Sequence, residues 1–193
     1  MSALTILIIR HAEKPGDPKA PWPGEGFTEA GVADNKSLVV RGWQRAGSWA
    51  ALFGTALGGD GYPRPAAVYA ANPEAGHSGE EPSRRPSETI SPLAAQLSLT
   101  PITKYGLGDE DALVREIISL TGVALICWEH KRIYENILPG LAAGQKLHGL
   151  PTSWDGRRFD VVLRFDRAIP GAPWSFRQQF PRLMSGDSDV PLT

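Results

Sequence analysis

The chain has 193 residues, 41% of them hydrophobic, and its 20 lysines and arginines nearly balance its 21 aspartates and glutamates. This length and composition predict one globular domain over residues 1–193 with a core of ordinary size. The near-zero net charge gives no sign of a nucleic-acid partner or an anionic membrane surface, so any anion site must be local.

The first residues and the cysteine content bear on location. Residues 1–9 are apolar, but they are too few to span a membrane, lack a basic leader and show no small-residue cleavage site, so we expect a first strand. The single cysteine, Cys127, excludes an internal disulfide and favours a reducing compartment. We therefore expect a cytoplasmic protein without a membrane partner.

The first third of the chain predicts a strand, a loop and a helix. Residues 4–9 form an apolar, β-branched run typical of a strand buried on both faces of a parallel sheet. Residues 14–26 are rich in proline and glycine and predict a loop. Apolar residues at near-helical spacing between 39 and 57 predict a helix that ends before Gly58.

The middle of the chain continues the alternation. Residues 66–71 predict a second strand, and the polar stretch 72–87 predicts a loop at its end. Residues 88–97 predict a helix, 100–104 a short strand, and 109–121 a helix with acidic residues in its first turn.

The last third predicts two more strands. Residues 123–128 are fully apolar, and residues 134–143 predict a short helix interrupted by proline. Residues 144–158 predict a loop, and the alternation over 159–165 predicts a strand that could lie at an edge of the sheet. The chain after residue 166 is proline-rich, so we expect it to be mostly irregular.

Alternating strands and helices predict an α/β fold, a three-layer α/β/α sandwich with a mainly parallel sheet. Three apolar strands are followed by clusters suited to an anion: Arg10-His11, Arg84-Arg85 and Glu129-His130-Lys131. Because the carboxyl ends of parallel strands share one edge of the sheet, these clusters are expected to converge there.

The ordered set of motifs resembles a known family. Arg10-His11-Ala12-Glu13 resembles the Arg-His-Gly signature of the histidine phosphatase superfamily, which includes phosphoglycerate mutase-like enzymes. Residues 38–46 resemble its Leu-Thr-x-x-Gly-x-x-Gln-Ala helix start, and residues 85–89 resemble its Arg-Ala-x-x-Thr segment. His130 matches the position of its second histidine. The likeness spans roughly residues 4–135.

The resemblance implies a phosphoglycerate mutase-like fold and a metal-independent phosphatase without a cofactor. His11 would be the nucleophile, because a neutral imidazole can attack phosphorus at neutral pH. Arg10, Arg85 and His130 would bind the phosphate oxygens, and His130 and Glu13 would share in catalysis. The substrate would be a phosphorylated small molecule or a phosphoprotein.

The proton donor to the leaving oxygen stays open at the level of sequence. In the acid-phosphatase branch of the family it is an aspartate just after the second histidine, where this chain has Lys131. In the mutase branch it is a glutamate beyond the second arginine, and the nearest acids are Asp109, Glu110 and Asp111. Glu13 and Glu129 are local alternatives, and a good leaving group needs no strong acid.

Other functions are also compatible with these residues. Ala12 in place of the family's glycine and the uncertain acid allow a phosphate-binding module without turnover, and a phosphoglycerate-type mutase is a further alternative. A metal could be ligated by His11, Glu13, Glu129 and His130, but the flanking arginines would repel a cation. Arg84, next to Arg85, could be the arginine that faces the phosphate.

Overall fold

The computed structural model describes residues 3–16, 22, 24–77, 79 and 81–193. The predicted loop 14–26 therefore lies partly outside the described residues. Among the helices described, none is both long enough and apolar enough to cross a membrane.

The described chain contains seven strands and five α-helices. The strands are β1 (Leu4–Arg10), β2 (Gly26–Phe27), β3 (Leu38–Val39), β4 (Ala67–Ala70), β5 (Gly122–Trp128), β6 (Val162–Arg167) and β7 (Ser175–Gln179). The helices are α1 (Val40–Gly54), α2 (Arg85–Leu97), α3 (Glu110–Ile117), α4 (His130–Arg132) and α5 (Leu138–Ala142), with a 3-10 turn (Ala56–Gly61) and a π-helical turn (Ile133–Ile137).

Five strands form the central sheet in the order β4-β5-β1-β6-β7. β1 pairs parallel with β5, and β5 pairs parallel with β4. β6 runs antiparallel to β1, and β7 runs antiparallel to β6, so β6 alone is reversed among these five strands. The sheet is thus mixed but mainly parallel, and the predicted α/β class is confirmed.

Helices pack on both faces of the sheet because β1 is apolar on both sides. Leu7 and Ile9 of β1 belong to a core cluster with α1 and α2. Leu4, Ile6 and Ile8 belong to a second cluster with α3, the π-helical turn and α5. Burial of apolar surface on both sides is the main favourable contribution to the stability of such a layered fold.

Two predicted strands differ from the structure. Residues 100–104 form only an isolated parallel bridge between Ile102 and Tyr69. The N–H of Ile102 donates to the carbonyl oxygen of Val68, and its own carbonyl oxygen accepts from the N–H of Ala70. The strand predicted over 159–165 begins at Val162, and it lies between β1 and β7 instead of at an edge.

The C-terminal region is more regular than its prolines predict. β7 forms an edge strand within the stretch expected to be irregular, and its side chains are half-buried or exposed.

Two helical segments start earlier than predicted. The helix predicted over 88–97 is α2, which starts at Arg85, and the helix predicted over 134–143 starts with α4 at His130. Pro86 lies in the first turn of α2, where a missing N–H costs no helical hydrogen bond. Pro139 follows the π-helical turn, in a helical backbone that is continuous from α4.

The carboxyl ends of β1 and β5 lie side by side. Arg10 pairs with Trp128 at the end of the shared register, and the N–H of His11 donates to the carbonyl oxygen of Trp128 at 3.0 Å. Polar residues that follow these two strands are therefore brought together at one edge of the sheet.

Candidate functional site

His11 is the first residue after β1 and is almost fully buried. Its Nδ1 atom lies 2.8 Å from the carbonyl oxygen of Ala12. A carbonyl oxygen only accepts hydrogen bonds, so Nδ1 must carry the hydrogen, and in a neutral imidazole Nε2 then holds the free electron pair. Nε2 is therefore the nitrogen of His11 that can act as a nucleophile.

The surroundings of His11 keep the imidazole neutral. Burial is the main reason that its pKa lies well below the ordinary value, and the positive charges of Arg10, Arg85 and Lys14 lower the pKa further. The contact with the Ala12 carbonyl acts in the opposite direction and is outweighed. The ring can thus remain an unprotonated nucleophile at neutral pH.

His11 lines a cavity of about 200 Å³, which we call the His11 cavity. Three of its lining residues are cationic and two are carboxylates, so the cavity has an excess of positive charge. Such a cavity suits an anion of the size of a phosphoryl group. Its lining residues are His11, Lys14, Lys36, Glu81, Pro82, Ser83, Arg85, Leu107 and Glu129.

Arg85, not Arg84, lines the His11 cavity. Arg85 is the first residue of α2, and its Nη2 donates to the carbonyl oxygen of Asn35 at 2.9 Å. Burial lowers the pKa of Arg85, but the guanidinium stays charged. Arg84 is exposed and lies 3.5 Å from a carboxylate oxygen of Asp34. The structure therefore brings Arg85 to His11, as the order of motifs predicts.

Arg10 is buried beside His11, and its contacts are with the loop before β6. Its Nη1 donates to the carbonyl oxygens of Gly156 at 2.7 Å and Arg158 at 3.1 Å. Its Cζ atom lies 3.9 Å from the centre of the Phe159 ring. Burial lowers the pKa of Arg10 to about 10. Arg10 is not among the residues that line the His11 cavity, so its expected place at the phosphate oxygens is not seen. Its charge acts on His11, and its contacts hold the 156–159 loop in place.

Glu13 is fully buried, and its carboxylate faces α1. Nε and Nη2 of Arg45 donate to it at 2.9 and 2.8 Å, and Nε of Arg41 lies 3.4 Å away. Arg45 also pairs with Asp187 at 2.8 Å. Glu13 is not among the lining residues of the His11 cavity described above. Its contacts instead anchor the segment that follows His11 to α1.

His130 lies in a neighbouring cavity of about 410 Å³, which we call the His130 cavity. It shares residues with the His11 cavity, and they form the boundary between the two. Nδ1 of His130 lies 2.5 Å from Oε1 of Glu129. The structure therefore brings the two histidines to adjoining cavities with Glu129 between them. The lining residues are Lys14, Leu107, Glu129, His130, Lys131, Arg132 and Glu135.

Glu129 is ionised in this position. Burial acts to raise its pKa, but the contact with His130, a hydrogen bond from the N–H of Arg132 at 3.1 Å and the charge of Arg10 outweigh burial. The pKa of Glu129 therefore lies below its ordinary value. An ionised carboxylate on the wall of both cavities can accept a proton from a bound water molecule.

The other carboxylates considered as proton donors lie outside both cavities. Asp109 accepts a hydrogen bond from the N–H of Gly106 at 2.9 Å and lies 3.3 Å from Nδ1 of His77. Glu110 is buried and accepts from Nε1 of Trp128 at 2.8 Å. Each of these carboxylates holds a loop or a helix start in place.

Several residues of the site escaped the sequence analysis. Lys14 and Lys36 carry two of the three cations in the His11 cavity, and Ser83 adds a hydroxyl. Thr89 of α2 accepts a hydrogen bond from the N–H of Ala12 at 2.8 Å. The position of Lys14, three residues after His11, was a usable signal, whereas nothing local to Lys36 indicates that its loop meets this cavity.

Within the described part of the chain, the histidine, cysteine and carboxylate side chains form no group of three or more suited to a metal ion. No protein-family model matches the chain, and no curated protein matches it.

Proposed function

We propose that this chain is a metal-independent phosphatase of the histidine phosphatase type, with a phosphoglycerate mutase-like fold. It hydrolyses a phosphomonoester or a phosphorylated protein side chain through a phosphohistidine on His11. The observation that carries this proposal is the hydrogen bond of His11 Nδ1 to the Ala12 carbonyl, which leaves the free electron pair on Nε2 of a histidine that lines a cavity with three cationic side chains.

In the first step the cavity binds the phosphoryl group by its oxygens. Lys14, Lys36 and Arg85 supply positive charge to these oxygens, and the charge of Arg10 adds to theirs. Nε2 of His11 forms a bond to phosphorus while the bond from phosphorus to the leaving oxygen breaks. The electron pair goes to the leaving oxygen, which takes a proton from water.

In the second step water hydrolyses the phosphohistidine. Glu129 is ionised and lines the cavity, so its carboxylate accepts a proton as the water oxygen bonds to phosphorus. The nitrogen–phosphorus bond breaks, its electron pair returns to Nε2, and inorganic phosphate leaves. His130, which contacts Glu129, holds this carboxylate; it lines the neighbouring cavity and not the His11 cavity, so the phosphate-binding role expected for it is not part of this proposal.

Glu13 has a positioning role in this proposal. Its carboxylate is bound by Arg45 and Arg41, so it is not available to protonate a leaving group inside the His11 cavity. The same observation favours a second candidate, a module that binds a phosphorylated ligand without turnover, because the expected acid next to His11 is engaged elsewhere. For either candidate, we propose a reducing, cytoplasmic setting, since Cys127 is the one cysteine of the chain and no internal disulfide can form.

Hydrolysis of p-nitrophenyl phosphate by the wild type, His11→Ala and His148→Ala, all with a chelator present, tests the proposal. His148 is an exposed histidine and controls for loss of an imidazole. We expect chelator-resistant turnover in the wild type and in His148→Ala, and none in His11→Ala. Equal turnover in all three proteins would refute the mechanism. Phosphate binding without turnover in the wild type would favour the binding module.

A further inference from the structure

We propose that Lys14 is the general acid of this site and protonates the leaving oxygen as its bond to phosphorus breaks. The inference rests on the proposed function and goes further, because it supplies the proton that the first step otherwise takes from water. Water suffices for a weakly basic leaving group such as p-nitrophenolate. The oxygen of an alkyl phosphate is far more basic and leaves slowly unless it is protonated in the transition state, so Lys14 matters most for alkyl esters.

Lys14 lies where the leaving oxygen is expected. The His11 cavity, at about 200 Å³, and the His130 cavity, at about 410 Å³, share three lining residues that form their boundary: Lys14, Leu107 and Glu129. In-line displacement places the leaving oxygen on the side of phosphorus opposite Nε2 of His11. With the phosphoryl group in the smaller cavity, the rest of the ester extends into the wider one, and the leaving oxygen lies at the boundary.

The carboxylates of the site are less suited to this role. Glu129, the other titratable residue on the boundary, is ionised and accepts a proton in the second step. Glu13 is bound by Arg45. Glu81 lines only the smaller of the two cavities, so it lies away from the boundary. Lys14 is therefore the residue at the breaking bond that holds a proton to donate.

The amine of Lys14 is free to give up its proton. With the residues that the structure describes, it forms no hydrogen bond or ion pair. The residue as a whole is exposed, yet burial of the amine end is the main reason that its pKa lies below the ordinary value of 10.5. The positive charges of Arg85, Arg10 and Lys131 lower the pKa further, and the charge of Glu129 acts in the opposite direction. A lowered pKa makes the ammonium a stronger acid toward an alkoxide.

The two titratable residues of the boundary also complete the proton balance. In the first step an N–H bond of Lys14 breaks as the leaving oxygen takes the proton, so the alcohol departs and a neutral amine remains. In the second step Glu129 accepts a proton from the attacking water. Transfer of that proton from Glu129 to the amine, directly or through one water molecule, restores both groups. Ester and water have then become alcohol and inorganic phosphate.

The dependence of turnover on the leaving group tests the inference. The kcat/KM would be measured at neutral pH for p-nitrophenyl, phenyl and ethyl phosphate, whose leaving oxygens increase in basicity in that order. Lys14→Met should lower kcat/KM for ethyl phosphate by about 100-fold or more, the contribution of a general acid, and for p-nitrophenyl phosphate by about tenfold or less. Lys36→Met removes a cation that lines only the His11 cavity, so it should lower all three values by a similar factor. Lys146→Met removes an exposed lysine that lines neither cavity and should match the wild type.

Lys14→Arg separates proton donation from positive charge. The guanidinium keeps the charge but does not give up a proton. We expect this variant to recover part of the p-nitrophenyl phosphate turnover that Lys14→Met loses, and none of the ethyl phosphate turnover. A uniform loss for all three substrates in Lys14→Met, or recovery of ethyl phosphate turnover in Lys14→Arg, would overturn the inference. Selective loss of ethyl phosphate turnover in Glu81→Gln instead of Lys14→Met would do the same, as would a wild type that hydrolyses p-nitrophenyl phosphate alone.

Failure of this inference is distinguishable from failure of the proposed function. If turnover requires His11 but depends on the leaving group equally in the wild type and in Lys14→Met, Lys14 is not the acid and the phosphatase stands. If none of the three substrates is hydrolysed, or if His11→Ala hydrolyses them as the wild type does, the proposed function fails and the inference fails with it.

Discussion

The hydroxyl of Thr89 accepts a hydrogen bond from the backbone N–H of Ala12 at 2.8 Å. The same hydroxyl donates to the carbonyl oxygen of Arg85 at 2.7 Å. Thr89 is fully buried, so it joins the segment that carries His11 to the first turn of α2, which carries Arg85. This one hydroxyl group thus contributes to the spacing between His11 and Arg85.

Thr89→Val should weaken both stability and activity. The valine keeps the shape of the side chain but leaves the N–H of Ala12 without a partner inside the protein, which costs about 1–3 kcal/mol of the free energy of unfolding. Urea denaturation and the kcat/KM for p-nitrophenyl phosphate measure the two effects. Thr89→Ser, which retains the hydroxyl, should recover most of the activity; a valine variant as active as the wild type would show that this link does not position the site.

Arg45→Met should destabilise the protein strongly. It leaves the buried carboxylates of Glu13 and Asp187 without their shared partner, and removal of one member of a buried ion network costs about 3–5 kcal/mol. Urea denaturation checks this loss. Arg182→Met is the matched control, since Arg182 forms only an exposed pair with Asp189. Equal stability of the two variants would contradict the structural role given to Arg45.

The stability of the protein should fall in mild acid because of His11. Its folded-state pKa lies well below the ordinary value of 6.5, so between these two pH values the unfolded chain binds a proton that the folded chain does not. The free energy of unfolding then decreases as pH falls below about 6.5, by up to roughly 1.4 kcal/mol per pH unit.

This effect is measured by urea denaturation of the wild type, His11→Gln and His148→Gln, which gives the free energy of unfolding at several pH values between about 7.5 and about 5. The wild type and His148→Gln should lose stability more steeply than His11→Gln. Parallel curves for all three proteins would mean that His11 titrates normally in the folded state, and the case for a neutral nucleophile in mild acid would fail.

The two adjacent arginines at the start of α2 should differ sharply in their effect on turnover. Arg85 lines the His11 cavity, whereas Arg84 pairs with Asp34 at the surface. Arg85→Gln should lower kcat/KM for p-nitrophenyl phosphate by about 100-fold, the effect of removing one preorganised donor to the reacting oxygens. Arg84→Gln should leave kcat/KM nearly unchanged. A larger loss in Arg84→Gln than in Arg85→Gln would reverse the assignment.

Local sequence patterns predicted much of the fold because its central strands are almost entirely apolar. The apolar runs of β1 and β5 identify strands that must be buried on both faces. β7 was missed because Phe176 is its one apolar residue and its side chains are half-buried or exposed. The strand predicted over 100–104 is reduced to a single bridge, because among these residues only Ile102 forms backbone hydrogen bonds with β4.

The sequence predicts which strand ends contribute residues to the candidate site. It does not predict the direction in which each of those side chains points. That residues after β1 and β5 converge follows from parallel pairing alone, and His11 and Glu129 do share a cavity. That Glu13 turns toward α1 depends on Arg45, which is thirty-two residues away in the chain. The approach of Lys36 likewise depends on the pairing of distant loops, which no local pattern specifies.

The most direct test of the account is to trap the phosphorylated enzyme. The protein would be mixed briefly with a phosphomonoester, quenched in alkali, in which phosphohistidine survives, and mapped by mass spectrometry alongside His11→Asn. The account predicts acid-labile phosphate on the peptide that contains His11, and none on that peptide in the variant. Turnover without phosphate on His11, or stable phosphate on another side chain such as Ser83, would contradict it.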